Sequence, residues 1–125
     1  MAAERILVVD DDPKILDILE RTLADAGYEV RGTSDSTQAL KLAGEVRPDL
    51  VILDIAMPVL DGFEVASRMR ADAALADTRL MFLTARDATA NLLKAQELRA
   101  VAYVEKPFQK EAFLGLLEHI FSRRK

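Results

Sequence analysis

Residues 49–55 read DLVILDI, apolar almost throughout and rich in β-branched side chains. A run this short is a strand rather than a helix, and with so little alternation it is a strand covered on both faces. Sheets whose inner strands look like this are parallel, because the helical crossovers lie on their faces. The run ends on a carboxylate, Asp54.

Similar short runs recur on either side, at 4–10 (ERILVVD), 28–33 (YEVRGT), 79–84 (RLMFLT) and 100–105 (AVAYVE). Amphipathic segments separate them. After Asp12 as N-cap and Pro13 in the first helical position, Ile15, Leu16, Ile18, Leu19 and Leu23 recur at helical spacing, and Gly27 ends the segment. A second helix is expected over about 35–46 with Ser34 or Asp35 as cap, and others near 62–71, 88–98 and 108–123. Strict strand–helix alternation predicts one α/β domain, a doubly wound five-stranded parallel sheet with right-handed crossovers. Ligands of such sheets bind beyond the carboxyl ends of the strands, near the point where the strand order reverses.

The totals narrow the function. A chain of 125 residues, 50% hydrophobic and 30% charged, has the composition of an ordinary globular domain. The net charge of -4 argues against nucleic acid or an anionic membrane as the main partner. The basic end SRRK (122–125) reads as a solubilising terminus at the negative end of the last helix. Absence of cysteine excludes disulfides, thiolate metal sites and cysteine nucleophiles. MAAERILVV has neither a basic leader nor a long apolar stretch, which predicts a cytoplasmic protein.

The polar residues at the strand ends carry the chemistry. Asp10 and Asp11 follow the first strand, Asp54 ends the third, Thr84 the fourth, and Lys106 with Pro107 follows the fifth. Singly, each has an ordinary explanation: a solvated strand end, a cap, a surface charge. Together they would place three carboxylates, a hydroxyl and an ammonium at one sheet edge. Oxygen-only ligation suits Mg2+, with Mn2+ as a substitute, and that ion plus one lysine balances three carboxylates. The chemistry suggested is phosphoryl transfer onto Asp54.

ILVVDDD, PDLVILDIAMPVLDG, FLTA and YVEKPF, in that order and spacing, resemble the signature segments of bacterial two-component response-regulator receiver domains, the CheY-like superfamily. The resemblance covers about 4–122. It implies a (βα)5 flavodoxin-like fold with strand order 2-1-3-4-5. It implies that Asp54 takes a phosphoryl group from a sensor histidine kinase or a histidine phosphotransfer protein. Asp10 and Asp11 would hold Mg2+ with Asp54 and the backbone carbonyl of Ala56. Thr84 and Lys106 would bind phosphoryl oxygens, and Tyr103 would be the switch aromatic that moves with Thr84. The Lys106–Pro107 bond would be cis. Ala56 and Arg86, each two residues past a site residue, would flank the way in and tune phosphoryl lifetime. The output would be an altered surface of the fourth helix, fifth strand and fifth helix, read by a downstream protein or output domain. Such a domain is a signalling switch rather than an enzyme, though self-phosphorylation from small donors and self-dephosphorylation are expected of it.

Some residues depart from the family pattern. Arg99 stands where a glycine usually ends the fourth helix, and Val101 and Ala102 replace a polar pair. The fifth helix, QKEAFLGLLEHI, lacks the arginine with which the winged-helix branch forms dimer ion pairs, so that mode of dimerisation is not expected. His119 is the single histidine and reads as a surface residue. Two other functions fit worse. An aspartyl-phosphate phosphatase needs an acid two residues after its nucleophile, where this chain has Ala56. A flavin-binding loop after the first strand would have to tolerate three carboxylates beside a phosphate. No output domain follows the fifth helix within these residues, so a stand-alone regulator and a piece of a longer one are both compatible with the sequence.

Overall fold

The structure, a computed structural model, describes residues 3–85 and 90–122. In chain order it contains β1 (Arg5–Val9), α1 (Pro13–Asp25), β2 (Glu29–Thr33), a short 3-10 helix (Ser36–Gln38) and α2 (Ala39–Val46). Then follow β3 (Leu50–Asp54), α3 (Gly62–Ala71), β4 (Arg79–Thr84), α4 (Ala90–Glu97), β5 (Ala102–Glu105) and α5 (Lys110–Ser122). The five strands form one parallel sheet, as the alternation of strands and helices predicts, in the order β2-β1-β3-β4-β5 that the resemblance implies.

Alternate residues of the inner strands feed two cores. Leu7, Val9, Val51, Leu53, Leu80 and Phe82 pack against Ala39 and Ala43 of α2, Val65, Ala66 and Met69 of α3, and Ala95 of α4. Ile6, Val8, Leu50, Ile52, Met81 and Leu83 face Leu19 and Leu23 of α1 and Phe113, Leu117, Ile120 and Phe121 of α5. Every residue of β3 is buried, which is why its sequence shows no alternation. At about 1.5–3 kcal/mol for each large apolar side chain, these two layers hold the strand ends in fixed register.

Helix boundaries follow local signals. The Asp12 carboxylate accepts a hydrogen bond from the Lys14 amide at 2.9 Å, and Gly27 turns the chain out of α1 at φ 98°. Asp35, not Ser34, caps the second helical segment. That segment is divided, because three residues of 3-10 helix precede α2. The fifth strand is shorter than the expected 100–105. Arg99 adopts φ 60°, the left-handed backbone that glycine would favour there. Around it the Arg99 amide bonds the Gln96 carbonyl at 2.9 Å and the Ala100 amide bonds the Ala95 carbonyl at 3.0 Å, the paired bonds of a Schellman ending. The chain rejoins the sheet only at Val101, whose amide bonds the Leu80 carbonyl at 2.8 Å.

Arg70 holds this turn from the side. Its guanidinium donates to the carbonyls of Leu98 (2.8 Å), Ala76 (2.8 Å), Thr78 (2.7 Å) and Arg99 (3.3 Å), tying the end of α3 to the end of α4. Charge-assisted bonds of this kind offset the cost of an arginine in a left-handed turn. Arg70→Met keeps the stem and removes every donor, so it is expected to cost about 2–3 kcal/mol. A urea midpoint unchanged from wild type would show that water replaces the guanidinium without loss.

Candidate phosphoacceptor and cation site

The site lies at the carboxyl edge of the sheet, where the chain leaves β1 toward β2 on one side and β3 leads to β4 on the other. Val9 is in register with Leu53, Asp54 with Leu83, and Thr84 with Glu105. Asp10 and Lys106, the residues just past β1 and β5, therefore meet Asp54 and Thr84 at one level. Asp10 is 0% exposed, Asp54 4% and Thr84 3%, so these polar groups are held at the rim of the core and not on open surface. Asp11 is the more open to solvent of the acidic pair.

The charges converge tightly. Carboxylate oxygens of Asp10, Asp11 and Asp54 lie within 4.8 Å of one another. The Lys106 ammonium stands 3.1 Å from Asp10 Oδ2 and 3.1 Å from Asp54 Oδ1. Asp10 Oδ1 accepts from the Asp12 amide at 2.9 Å, which fixes its rotamer. Asp10 Oδ2 is buried without an aligned hydrogen bond, and the Lys106 ammonium beside it makes an ion-pair contact only. Asp12 points away and caps α1.

The electrostatics are unbalanced. Burial, then the charge of Asp10, pushes the Asp54 carboxyl up to about 7, against the pull of Lys106. Burial works against the charge on Lys106 too, but its close pairing with the Asp10 and Asp54 carboxylates outweighs it and raises its pKa. Among the described residues, the Lys106 ammonium pairs with two of the three carboxylates, and the cluster is left short of positive charge once Asp54 ionises. An orphaned buried oxygen, an all-oxygen donor set and that residual charge fit a hard divalent cation.

The remaining predicted residues take these places. The Thr84 hydroxyl donates to the Ala85 carbonyl at 3.3 Å, so it is committed to backbone and not to the acidic cluster. Ala56 is exposed on the rim. The Lys106–Pro107 bond is cis. Tyr103 is partly buried against the α3–α4 core and lines a cleft of about 180 Å³ with Leu92, Ala95, Gln96, Ala100, Val101 and Ala102. Val101 and Leu93, 45% and 71% exposed, make this corner apolar at its surface. His119 is exposed on α5. Arg86 lies outside the described residues.

Two structural contacts near the site escape a reading of the sequence. Gly62 begins α3 behind Asp61, whose carboxylate accepts from the Glu64 amide at 2.8 Å while Glu64 accepts from the Asp61 amide at 3.1 Å. A β-carbon at Gly62 would stand 2.5 Å from the Asp54 carbonyl oxygen, so only glycine lets α3 approach the back of Asp54 this closely. Its place before a helix is visible in the sequence, but the approach is not. Ser36 makes the other, buried and hydrogen-bonded to backbone groups 22 and 24 residues onward.

Comparison with known proteins agrees with this fold. The sequence model of the response regulator receiver domain matches residues 6–118. A response regulator MprA of Mycobacterium sp. (strain KMS) is 39% identical over 119 residues, 95% of this chain and 51% of that protein. A DNA-binding dual master transcriptional regulator RpaA of Synechocystis sp. is 36% identical over 95% of this chain and 49% of its own length. The chain thus spans about half the length of these curated relatives. Among solved structures, the chemotaxis protein CheY4 of Vibrio cholerae superposes with a TM-score of 0.88 at 33% identity, covering 94% of this chain and 98% of that one. No helix among the described residues is long and apolar enough to cross a membrane. With its 2-1-3-4-5 sheet and its acidic cluster at the carboxyl edge, the chain belongs to the response regulator receiver domains of two-component signalling.

Proposed function

We propose that Asp54 is the phosphoacceptor, taking a phosphoryl group from a phosphohistidine of a sensor kinase or phosphotransfer protein. What carries this reading is the convergence of Asp10, Asp11 and Asp54 within 4.8 Å, with Lys106 at 3.1 Å from two of them. Asp10, Asp11, Asp54 and the Ala56 carbonyl would hold Mg2+ or Mn2+. When bound, the ion neutralises the charge gathering on the transferring phosphoryl oxygens. Asp54 ionises to act, one carboxylate oxygen forms the new P–O bond, and the P–N bond to the donor imidazole breaks with its electron pair returning to nitrogen. Lys106 follows the charge onto the phosphoryl oxygens. The phosphoryl group brings acceptors that Thr84 can satisfy only by releasing the Ala85 carbonyl and turning inward. That turn vacates space beside Tyr103 and biases the α4–β5–α5 surface, whose apolar corner suits a protein partner rather than nucleic acid.

Intact mass after incubation with Mg2+ and acetyl phosphate tests the reading. One added phosphoryl group is expected, labile to base and absent from Asp54→Asn and from a sample in chelator. If no adduct forms, beryllofluoride, a stable phosphoryl mimic, separates a short-lived phosphate from an inert site. Failure to bind it would overturn the assignment.

A further inference from the structure

The loop that joins Asp54 to α3 contains a strained turn. Val59 sits at φ 67° with 79% of its surface exposed, and the Leu60 amide bonds the Pro58 carbonyl across it at 2.8 Å. An i to i+2 bond around a positive central φ is the rare, strained kind of γ-turn, and a β-branched residue is ill suited to it. Such a conformation persists only where its surroundings hold it. Here the holder comes from another connection of the sheet. Ser36, 4% exposed in the 3-10 turn after β2, donates its hydroxyl to the Pro58 carbonyl at 2.9 Å and accepts from the Leu60 amide at 3.3 Å. One hydroxyl thus bridges both ends of the turn.

The same loop carries Ala56. Its near end is pinned where the Met57 and Gly62 amides both bond the Ile55 carbonyl, at 3.1 and 2.9 Å. Its far half, 58–60, is held by Ser36. We infer that Ser36 is a positioning residue of the cation site: by bridging the γ-turn at Val59 it sets the path of the loop and with it the placement of the Ala56 carbonyl toward Mg2+. This rests on the Mg2+ reading of the site given above. The exposed valine supplies a restoring strain that would open the loop if the hydroxyl were absent, so the two residues act as a coupled pair.

A double-mutant cycle reads that coupling. Mg2+ affinity is measured by titration calorimetry near neutral pH for the wild type, Ser36→Ala, Val59→Gly and the double variant, with thermal midpoints alongside. Hydrogen exchange of the Leu60 amide is followed in metal-free protein. Ser36→Ala is expected to weaken Mg2+ binding about fivefold, the worth of one neutral hydrogen bond, and to speed Leu60 exchange. In the Val59→Gly background, where no strain pulls the loop away, the same substitution is expected to weaken binding by less than about twofold. Wild-type Mg2+ affinity in Ser36→Ala, with only the midpoint lowered, would reduce Ser36 to a structural bond and overturn the inference. So would an equal loss in both backgrounds, which would remove Val59 from the mechanism. A wild type that binds no Mg2+ would overturn the cation reading itself, and the inference with it.

Discussion

Asp54→Asn is expected to stabilise the metal-free protein, by up to about 4 kcal/mol at about pH 8, while abolishing phosphorylation. Burial and the neighbouring Asp10 raise the Asp54 carboxyl from its ordinary 3.8 to about 7. The folded chain therefore binds more protons than the unfolded one between those values, and stability falls as pH rises through that window. The stabilising effect of a protonated Asp54 is fully present below about pH 4 and gone above about pH 7. The titration belongs in practice to the Asp10–Asp54 pair, which share Lys106. Asparagine keeps the shape and never ionises. Wild type and variant should thus have similar urea midpoints near about pH 4 and diverge steadily toward about pH 8. Magnesium should close the gap by stabilising the wild type alone, since an ion bound only by the folded state shifts the equilibrium toward it. Parallel stability profiles for the two proteins in chelator would show that Asp54 is not held in an unfavourable charge state.

Removing the opposite charge should do the reverse. Lys106→Met leaves Asp10, with no exposed surface, and Asp54 without their ammonium. Breaking a buried pair from one side typically costs about 3–5 kcal/mol, because the abandoned charge and not the lost contact dominates. The loss should be largest at about pH 8 in chelator. It should shrink on acidification, as Asp54 takes up a proton, and on addition of Mg2+, which supplies the missing charge. Combining Lys106→Met with Asp54→Asn should cost less than the sum of the two single effects, since the groups share one network. Denaturation midpoints for the four proteins measure this. A cost below about 1 kcal/mol for Lys106→Met would place the lysine in solvent, as at an ordinary surface pair.

The two substitutions share a cause. The acidic edge is destabilising by itself and is tolerated because two core layers fix the ends of β1 and β3 whatever stands there. On the proposed function, a site strained in this way would bind a cation, or a phosphoryl group with its cation, more strongly than a relaxed one.

Most of the scaffold was legible because its signals are local. The unbroken apolar run at 50–53, the Asp12–Pro13 cap and the stop at Gly27 each act within a few residues, and each lies where the sequence placed it. Asp10, Asp54, Thr84 and Lys106 were legible for a related reason: a polar residue closing an apolar strand stands out, and a parallel sheet sends all such ends to one edge. The cap at Asp35 rather than Ser34, and the 3-10 turn after it, were ambiguous because adjacent small polar residues cap almost equally well.

By itself, then, the sequence determined the strand and helix order, the parallel sheet and the edge on which the chemistry gathers, because period and terminal residues are properties of neighbours along the chain. Only the tertiary structure decided that Lys106 is shared between two carboxylates, that Arg70 locks the left-handed turn at Arg99, that Gly62 touches the back of Asp54, and that Ser36 reaches 22 and 24 residues onward to bridge the turn at Val59. Those are contacts between side chains and distant backbone. They depend on where packed elements come to rest, and no spacing in the chain encodes them.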